Sequence, residues 1–268
     1  MQDLTITLIQ SRLFWEDPDK NLEMFEEKIS GITQPTDLII LPEMFNTGFT
    51  ENSGKFAEED NGKTILWLKA LSRQKGCVIT GSLIMREDGQ YFNRLIWMNP
   101  DGSYYHYNKG HLFMIEKEHL SFSPGNKRLV VDLNGWKVIT LICYDLRFPV
   151  WCKNSYRNGE YEFDLMVFIA NWPAVRSIAW KSLLPGRAIE NQSYVVGVNR
   201  VGVDGNNIDH SGDSIVFNPE GQILFSAEPN TEFIKSITLS HQELEKFRKM
   251  LQVGLDWDDF KIINYSKE

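Results

Sequence analysis

The sequence predicts an α/β fold in which two mixed β-sheets pack against each other, with helices on the outside. Strand-like and helix-like segments alternate in the first third of the chain, and hairpins dominate the middle. A single doubly wound sheet would not explain those hairpins. No long linker, internal repeat or low-complexity segment divides the 268 residues, so we expect one domain spanning residues 1–268.

The first third of the chain alternates between the two periodicities that distinguish strands from helices. Apolar residues recur at every second position near the N-terminus, at Leu4, Ile6 and Leu8. Asp17-Pro18-Asp19 is a helix-start signal, because Asp favours the N-cap and Pro the first turn. In chain order, the predicted elements are a strand at residues 4–10, a helix from residue 17, a strand at 37–41, a helix at 64–74 and a strand at 77–85.

Turn signals organise the rest of the chain. Asn99-Pro100-Asp101-Gly102, Asn134-Gly135 and Asn218-Pro219-Glu220-Gly221 each separate two strand-like runs and therefore predict hairpins. Pro149 suits the start of a helix. The predicted elements are hairpins at 95–107, 129–142 and 214–226, a helix after 149, a strand at 165–169, a helix at 178–191, a strand at 194–199 and a helix at 241–251.

Composition argues against several classes of function. The formal net charge of −8 and the pI near 5.3 disfavour a nucleic-acid or anionic-membrane surface. The sequence has no apolar run of about eighteen residues and no basic N-terminal signal, so we expect a soluble cytoplasmic protein. Cys77, Cys143 and Cys152 form no CxxC pair, and the five histidines show no metal-binding spacing. We therefore expect no disulfide framework, no metal and no organic cofactor.

Three reactive side chains each follow a short apolar strand. Glu43 comes after the LIILP run, Lys109 after the YHYN run and Cys143 after the VITLI run. Strand ends are places where a rigid scaffold presents functional groups to a ligand. These three residues are the candidate catalytic set.

Cys143 is the candidate nucleophile. It lies at a predicted turn from strand to helix, where the positive end of a helix and a nearby lysine would lower the pKa of its thiol. The alternative is that Cys143 is a small buried hydrophobic residue. We interpret Cys77, within a strand, and Cys152, on the helix predicted after Pro149, as structural.

Glu43 and Lys109 are candidate partners of the cysteine. A carboxylate that works as an acid and a base needs desolvation, which Met44, Phe45 and Phe49 could supply. Glu43 could instead cap a neighbouring loop, and Lys109 could be a solvated loop lysine. The aromatic residues around Lys109 favour pairing with an anion, because a partly buried cation is costly when it is alone.

With these segments in view, the chain resembles the nitrilase superfamily, also called the carbon–nitrogen hydrolases. The resemblance rests on Leu41-Pro42-Glu43, on YNKGHLF at residues 107–113 and on ICYDLRFP at residues 142–149. The three motifs stand in the order usual for that family. Further similarity extends over nearly the whole chain and includes Ser123-Pro124-Gly125.

The resemblance implies a four-layer α-β-β-α sandwich of two mixed sheets. It also implies a catalytic triad in which Glu43 is the general base, Lys109 stabilises the tetrahedral intermediate and Cys143 is the nucleophile. A second family glutamate precedes the Ser-Pro-Gly segment; Glu118 matches it, and Glu116 is close enough to leave that assignment open. The resemblance further implies a homodimer or a larger homo-oligomer.

Within the superfamily, Cys143-Tyr144-Asp145 resembles the amidase branches, because true nitrilases usually carry Cys-Trp-Glu there. The fuller motif set is similar to the bacterial omega-amidases. That similarity implies hydrolysis of 2-oxoglutaramate or 2-oxosuccinamate to ammonia and the 2-oxo dicarboxylate through a thioester. A backbone N–H near Tyr144 would help to bind the oxyanion.

A 2-oxo acid amide carries a carboxylate at its far end, so its pocket needs a cation. Arg147 and Arg176 are the candidates, and Trp172 and Phe45 are predicted to shape the walls. Trp172 could equally be a core residue. Two carboxylates could hold Arg147 in a structural salt bridge instead: Asp145 and Asp164.

Two other functions remain open at this point. The first is another amidase of the same superfamily, such as a carbamoylase or a simple aliphatic amidase. The second is a non-catalytic interaction protein on the same scaffold. The presence of all three reactive groups disfavours the second, because an interaction protein has no need to keep them.

Overall fold

Two six-stranded mixed sheets face each other in the computed structural model, which describes residues 1–263. Helices cover the outer face of each sheet, so the layers run α-β-β-α, as predicted. The last five residues of the predicted domain, 264–268, lie outside the described part of the chain. No helix in residues 1–263 is long and apolar enough to cross a membrane.

The first sheet comes mainly from the N-terminal third of the chain. Its strands are β1 (Leu4–Gln10), β2 (Leu38–Ile40), β3 (Val78–Glu87), β4 (Gln90–Met98), β5 (Tyr104–Asn108) and β16 (Phe233–Leu239). Their order is β16-β1-β2-β3-β4-β5. The β1–β2 and β2–β3 pairs are parallel and the others antiparallel, so β5 runs in the same direction as β2. The chain segments that follow β2 and β5 therefore leave the sheet at one end.

The second sheet comes from the remainder of the chain. Its strands are β6 (Leu129–Leu133), β7 (Trp136–Ile142), β10 (Leu165–Ala170), β11 (Tyr194–Asn199), β14 (Ile215–Phe217) and β15 (Ile223–Ser226), in the order β15-β14-β11-β10-β7-β6. The β7, β10 and β11 strands are parallel. Two small ladders pair β8 (Tyr156–Arg157) with β9 (Glu160–Tyr161) and β12 (Val201–Val203) with β13 (Asp209–Ser211).

Alternating side chains of the first-sheet strands enter two different hydrophobic clusters. Ile6 and Leu8 of β1 lie in the core between the sheets, whereas Ile9 faces the outer core under the helices. The helices are α1 (Pro18–Ser30), α2 (Ser53–Phe56), α3 (Lys63–Lys75), α4 (Ser177–Asn191) and α5 (His241–Met250). Helices α1 and α3 pack on the first sheet and α4 and α5 on the second. This two-sided burial explains why the strand that precedes Glu43 is apolar without interruption.

Most predicted elements are present, with boundaries within a few residues of the prediction, but one helix is wrong. The segment after Pro149 forms turns, and Cys152 therefore lies in a turn and not on a helix. Asn154 holds this segment through hydrogen bonds to Asn191 and Phe163. The short helix near this motif is a 3₁₀ turn that begins earlier, at Cys143. The prediction also missed β16 and the turn that joins β3 to β4.

Candidate active site

Glu43 is fully buried and its carboxylate has a partner on each oxygen. Asn93 Nδ2 donates to Oε1 at 2.8 Å, and the backbone N–H of Asn171 donates to Oε2 at 2.7 Å. The Asn171 side chain also donates to the Glu43 carbonyl at 2.6 Å. These bonds fix the carboxylate between β4 of the first sheet and the end of β10 in the second.

Lys109 is also buried, with 1% of its surface exposed. Its ammonium donates to Glu43 Oε1 at 2.9 Å and lies 3.0 Å from both carboxylate oxygens of Glu118. Its backbone is fixed as well, because its N–H donates to the Asn93 carbonyl and its carbonyl accepts from Gly125. Two buried carboxylates thus flank one buried cation. When the carboxylates of Glu43 and Glu118 are both ionised and the cysteine is neutral, the cluster carries a net charge of −1.

Cys143 follows β7 at a sharp turn. Its φ of 45° is left-handed, which is unusual for a residue with a side chain. The turn continues into the 3₁₀ helix Cys143–Arg147, and Asp145 closes it by accepting the Ile142 N–H at 3.0 Å. This geometry leaves Cys143 half-buried at the wall of a pocket, whereas Cys77 and Cys152 are buried in the core.

The pKa values of the cluster depend on one another. Burial raises the pKa of the Cys143 thiol well above its ordinary value; the Glu43 carboxylate raises it further, and the Lys109 ammonium opposes both. The expected fall in the thiol pKa is therefore wrong. The short 3₁₀ turn and one lysine do not outweigh desolvation and a carboxylate that is already present.

The two charged neighbours are shifted by the same contacts. Burial alone would lower the pKa of Lys109, but the carboxylates of Glu118 and Glu43 outweigh it and hold that pKa above its ordinary value. Burial raises the pKa of Glu118, with Lys109 opposing. At rest the site therefore holds a protonated lysine and a protonated thiol beside Glu43.

The structure assigns different positions to Glu118 and Glu116. Glu118 contacts Lys109 and also accepts the Phe113 N–H at 2.5 Å, so it is the second glutamate of the buried cluster. Glu116 lies in the pocket, 3.8 Å from Arg176. Burial raises the pKa of Glu116, and Arg176 opposes that effect.

A narrow pocket leads to Cys143. One wall is aromatic, several side chains are cationic, and the thiol is at the surface of the pocket. The lining residues are Phe49, Lys109, Phe113, Glu116, Cys143, Tyr144, Arg147, Asn171, Trp172, Pro173 and Arg176.

Arg147 and Arg176, both predicted to bind a substrate carboxylate, reach this pocket. The Arg147 guanidinium stacks on Trp172 at 5.0 Å, and Arg176 lies over Phe113 at the same distance. Within residues 1–263, no carboxylate lies at ion-pair distance from Arg147. The alternative salt bridges are not formed, because their acceptors bind other groups: Asp145 binds Tyr107 and His111, and Asp164 binds Arg248.

The predicted wall residues divide between pocket and core. Trp172 lines the pocket and is also 97% buried, and Tyr144 lines it beside Cys143. Phe45 does not line the pocket. It is fully buried against Phe25 and Trp67 in the outer core, and Phe49 takes the predicted place in the wall.

Sequence reasoning did not predict the two asparagines that hold Glu43. Asn171 follows β10 just as Cys143 follows β7, so the rule that strand ends carry functional groups could have found it. Asn93 lies inside β4, and no local pattern distinguishes it. Within the described residues, no group of three or more His, Cys, Asp or Glu side chains could hold a metal ion.

Comparison with known proteins gives a consistent result. The model of the carbon-nitrogen hydrolase family matches residues 5–249. Omega-amidase YafV of Escherichia coli (strain K12) is 40% identical over 98% of this chain and all of that protein. A 2-oxoglutaramate amidase of Bacillus subtilis (strain 168) is 30% identical over 96% of this chain and 97% of its own.

A solved structure agrees with this fold closely. A CN-hydrolase superfamily protein from Xanthomonas campestris, described with an arsenic adduct in its active site, superimposes with a TM-score of 0.95 at 41% identity; the match covers 98% of this chain and all of that one. Yeast Nit3, a member of the nitrilase superfamily, gives a TM-score of 0.83 at 27% identity, over 93% of this chain and 94% of its own.

Taken with the fold and the site, these matches define the class of protein: a hydrolase that acts on carbon–nitrogen bonds other than peptide bonds. The match covers nine-tenths of the chain and includes all three strand ends described above. The chain belongs to the carbon–nitrogen hydrolase family, within the nitrilase superfamily.

Proposed function

We propose that the protein is an omega-amidase that hydrolyses the terminal amide of a short 2-oxo acid, such as 2-oxoglutaramate or 2-oxosuccinamate. The observation that carries this proposal is that one small pocket holds a thiol together with two guanidinium groups. A thiol beside a buried carboxylate suits amide cleavage. The arginines suit the carboxylate that such a substrate retains, because guanidinium binds carboxylates in a bidentate manner.

Arg147 is the principal candidate for binding that carboxylate. Glu116 already faces Arg176, whereas Arg147 lies over the face of Trp172 and has no carboxylate partner within residues 1–263. A carboxylate entering the pocket would therefore gain most from Arg147. The names of two relatives, an omega-amidase and a 2-oxoglutaramate amidase, support the same substrate class.

In the proposed reaction, Glu43 is the general base. It accepts the thiol proton while the sulfur attacks the amide carbon. Transfer of this proton to Glu43 leaves the net charge of the buried cluster unchanged, whereas loss of the proton to solvent would add a buried negative charge, so Glu43 is the favoured acceptor. Glu43 then gives the proton to the departing nitrogen, which leaves as ammonia.

The second half of the reaction reuses the same carboxylate. Glu43 removes a proton from water as the water attacks the thioester, and the thiol leaves with that proton to restore the resting site. In both halves the oxyanion forms beside the Lys109 ammonium and a backbone N–H near Tyr144. Glu118 holds Lys109 in place, since it contacts the ammonium through both oxygens.

Steady-state ammonia release tests the proposal. The panel contains 2-oxoglutaramate, 2-oxosuccinamate, a neutral aliphatic amide of similar length and an N-carbamoyl amino acid, with Cys143→Ala as the background control. We expect kcat/KM for the oxo-acid amides to exceed that for the neutral amide by about a hundredfold, because the neutral amide leaves the arginine unpaired. Activity on another panel member with none on either oxo-acid amide would show a different amidase.

A further inference from the structure

Asp145 joins the two strand ends that carry Cys143 and Lys109. Its side chain is fully buried. On the Cys143 side, Oδ2 accepts the backbone N–H of Ile142 at 3.0 Å. On the Lys109 side, the same oxygen accepts the Tyr107 hydroxyl at 2.7 Å, and Oδ1 accepts the backbone N–H of His111 at 3.0 Å.

The fourth partner of Asp145 is the His111 imidazole, whose Nδ1 lies 2.8 Å from Oδ1. A carboxylate can only accept hydrogen bonds, so this contact places the imidazole proton on Nδ1. A carboxylate offers about four acceptor positions, and Asp145 fills two on each oxygen. No position is left for water or for a substrate.

The positions of these partners along the chain matter for the site. Tyr107 is two residues before Lys109 and His111 is two residues after it, while Ile142 directly precedes Cys143. The Asp145 carboxylate therefore forms hydrogen bonds to the chain on both sides of Lys109 and to the residue before Cys143. The lysine segment belongs to the first sheet and the cysteine turn to the second, so this contact crosses between the sheets.

We propose that Asp145 is a positioning residue that fixes the distance between the Cys143 sulfur and the Lys109 ammonium. The proposal rests on the proposed function, because it assigns Asp145 to the geometry of the reactive pair. Asp145 does not line the pocket, so it acts through its neighbours and not on the substrate.

The groups around Asp145 are themselves held, which makes the link stiff. The Tyr107 hydroxyl accepts from Trp151 Nε1 at 2.9 Å while it donates to Asp145. The His111 ring stacks on Phe148 with 3.7 Å between centroids, and the Phe148 N–H donates to the Asp145 carbonyl at 3.0 Å. A substitution at Asp145 would therefore displace the segments that carry Lys109 and Cys143, because the neighbouring side chains are themselves fixed.

Asp145→Asn tests the proposal with little change in volume. An amide presents N–H groups where the carboxylate has an oxygen, so whichever oxygen is replaced, the backbone N–H of Ile142 or of His111 faces another donor. The Cys143 turn and the Lys109 segment then separate. We expect kcat to fall about a hundredfold, with KM changed by less than about threefold, since the substrate-binding arginines are untouched.

A second readout needs no substrate: alkylation of Cys143 by iodoacetamide, located by peptide mass spectrometry. Lys109 is the group that lowers the thiol pKa, so its retreat leaves less thiolate. We expect the alkylation rate at pH 8 to fall about tenfold in Asp145→Asn. Because this measurement is independent of the substrate, it still tests Asp145 if every amide in the panel fails.

Asp164→Asn is the matched control. Asp164 is also a buried aspartate that accepts a backbone N–H, from Lys137, and a side-chain donor, from Arg248. It lies away from the pocket. We expect this variant to unfold at lower urea concentration while its Cys143 alkylation rate and kcat stay at the unaltered values.

Tyr107→Phe provides a second test if Asp145→Asn does not fold, because it removes one of the four contacts without moving a charge. We expect a smaller fall in both kcat and alkylation, with Tyr194→Phe, which loses one bond to the Ser240 carbonyl, as its control. Unaltered alkylation and kcat in a folded Asp145→Asn or Tyr107→Phe protein would overturn the proposal. So would an equal fall in alkylation in the Asp164→Asn or Tyr194→Phe control.

Discussion

The Lys109 ammonium donates a 2.9 Å hydrogen bond to Glu43, and this bond links the ends of two strands that are not neighbours. Strands β3 and β4 lie between β2 and β5, which corresponds to about 14 Å across the sheet. Asn93 of β4 bridges part of that gap by donating to the same carboxylate oxygen. The contact between Lys109 and Glu43 therefore depends on the order and the register of the four strands β2 to β5.

Replacing Glu43 with Gln should change hydrolysis and thiol reactivity in opposite directions. Burial and the Glu43 carboxylate raise the Cys143 pKa and Lys109 lowers it, so loss of the Glu43 charge should bring that pKa down. We expect Cys143 in Glu43→Gln to be alkylated faster than in the unaltered protein at pH 7. Hydrolysis should fall by at least about a thousandfold, because the general base is gone. Slower alkylation in this variant would contradict the account of the cluster.

Alkylation of Cys143 in the unaltered protein should rise continuously from pH 6 to pH 9. The thiol pKa lies well above its ordinary value, so the thiolate fraction grows about tenfold with each pH unit below it. The rate of alkylation at a series of pH values, with Cys143→Ala as the blank, measures this. A plateau beginning near pH 6 would indicate a thiolate at rest and would contradict the assigned protonation.

Arg147→Met should impair binding of charged substrates selectively. We expect KM for 2-oxoglutaramate to rise about 10- to 100-fold, because one charge-assisted hydrogen bond is lost. KM for a neutral amide should stay unchanged. Steady-state kinetics on both substrates measure the effect. Arg157→Met is the control, because Arg157 pairs with Asp259 outside the pocket. Equal losses on both substrates would argue that Arg147 supports the pocket wall and does not bind the carboxylate.

His210 should weaken the fold as the pH falls. Burial and, to a smaller extent, the Arg200 guanidinium lower its pKa to about 4, while Asp204 opposes them. The folded-state pKa lies below the unfolded value of 6.5, so the contribution of His210 to stability is complete above pH 6.5 and is lost between 6.5 and 4. At the acid end the loss amounts to about 3 kcal/mol.

Urea unfolding between pH 7.5 and pH 4.5 measures that loss. His210→Gln cannot bind the proton, so its free energy of unfolding should depend less on pH across this window. His119→Gln, at an exposed position, is the control and should follow the unaltered protein. Identical pH dependence in His210→Gln and the unaltered protein would show that other groups cause the acid loss.

Gly197→Ala should destabilise the contact between α4 and the second sheet. An added Cβ would lie 2.6 Å from Trp180 Cζ2 and 2.7 Å from Leu184, both in the core. We expect a loss of about 1–3 kcal/mol in the free energy of unfolding. Gly186 lies in α4, and a Cβ added there would have no atom within 4 Å. Gly186→Ala should therefore be neutral or stabilising by up to about 1 kcal/mol. Equal effects of the two changes in urea unfolding would contradict this packing.

The positions of Glu43, Lys109 and Cys143 were predictable because each directly follows a strand. The strands before Glu43 and Cys143 are apolar, whereas β5 before Lys109 is polar and largely exposed or half-buried. Packing of the two sheets then brings the three strand ends together. Phe45 was not predictable in the same way. Met44 adopts a left-handed φ of 42°, which redirects the chain so that Phe45 enters the outer core. A single backbone angle of this kind leaves no periodic pattern in the sequence.

Other differences have physical causes too. Strand β16 is an edge strand with exposed positions on both faces, so its apolar pattern is weak, and its pairing with β1 joins residues more than 220 apart. The segment after Pro149 is set by distant asparagine hydrogen bonds, which local helix signals do not report.

The single domain, the cytoplasmic location and the homodimer stay predictions. Sedimentation of the purified protein tests the homodimer.

The reactive groups are divided between the two sheets: Glu43 and Lys109 stand at the ends of first-sheet strands, and Cys143 stands at the end of a second-sheet strand. Neither sheet alone can therefore assemble the reactive centre, and in a half-folded chain Cys143 lacks Glu43 and Lys109 beside it. During refolding from urea, selective alkylation of Cys143 over Cys77 and Cys152 should return only in the last kinetic phase. The time at which catalysis recovers would then report when the two sheets pack against each other.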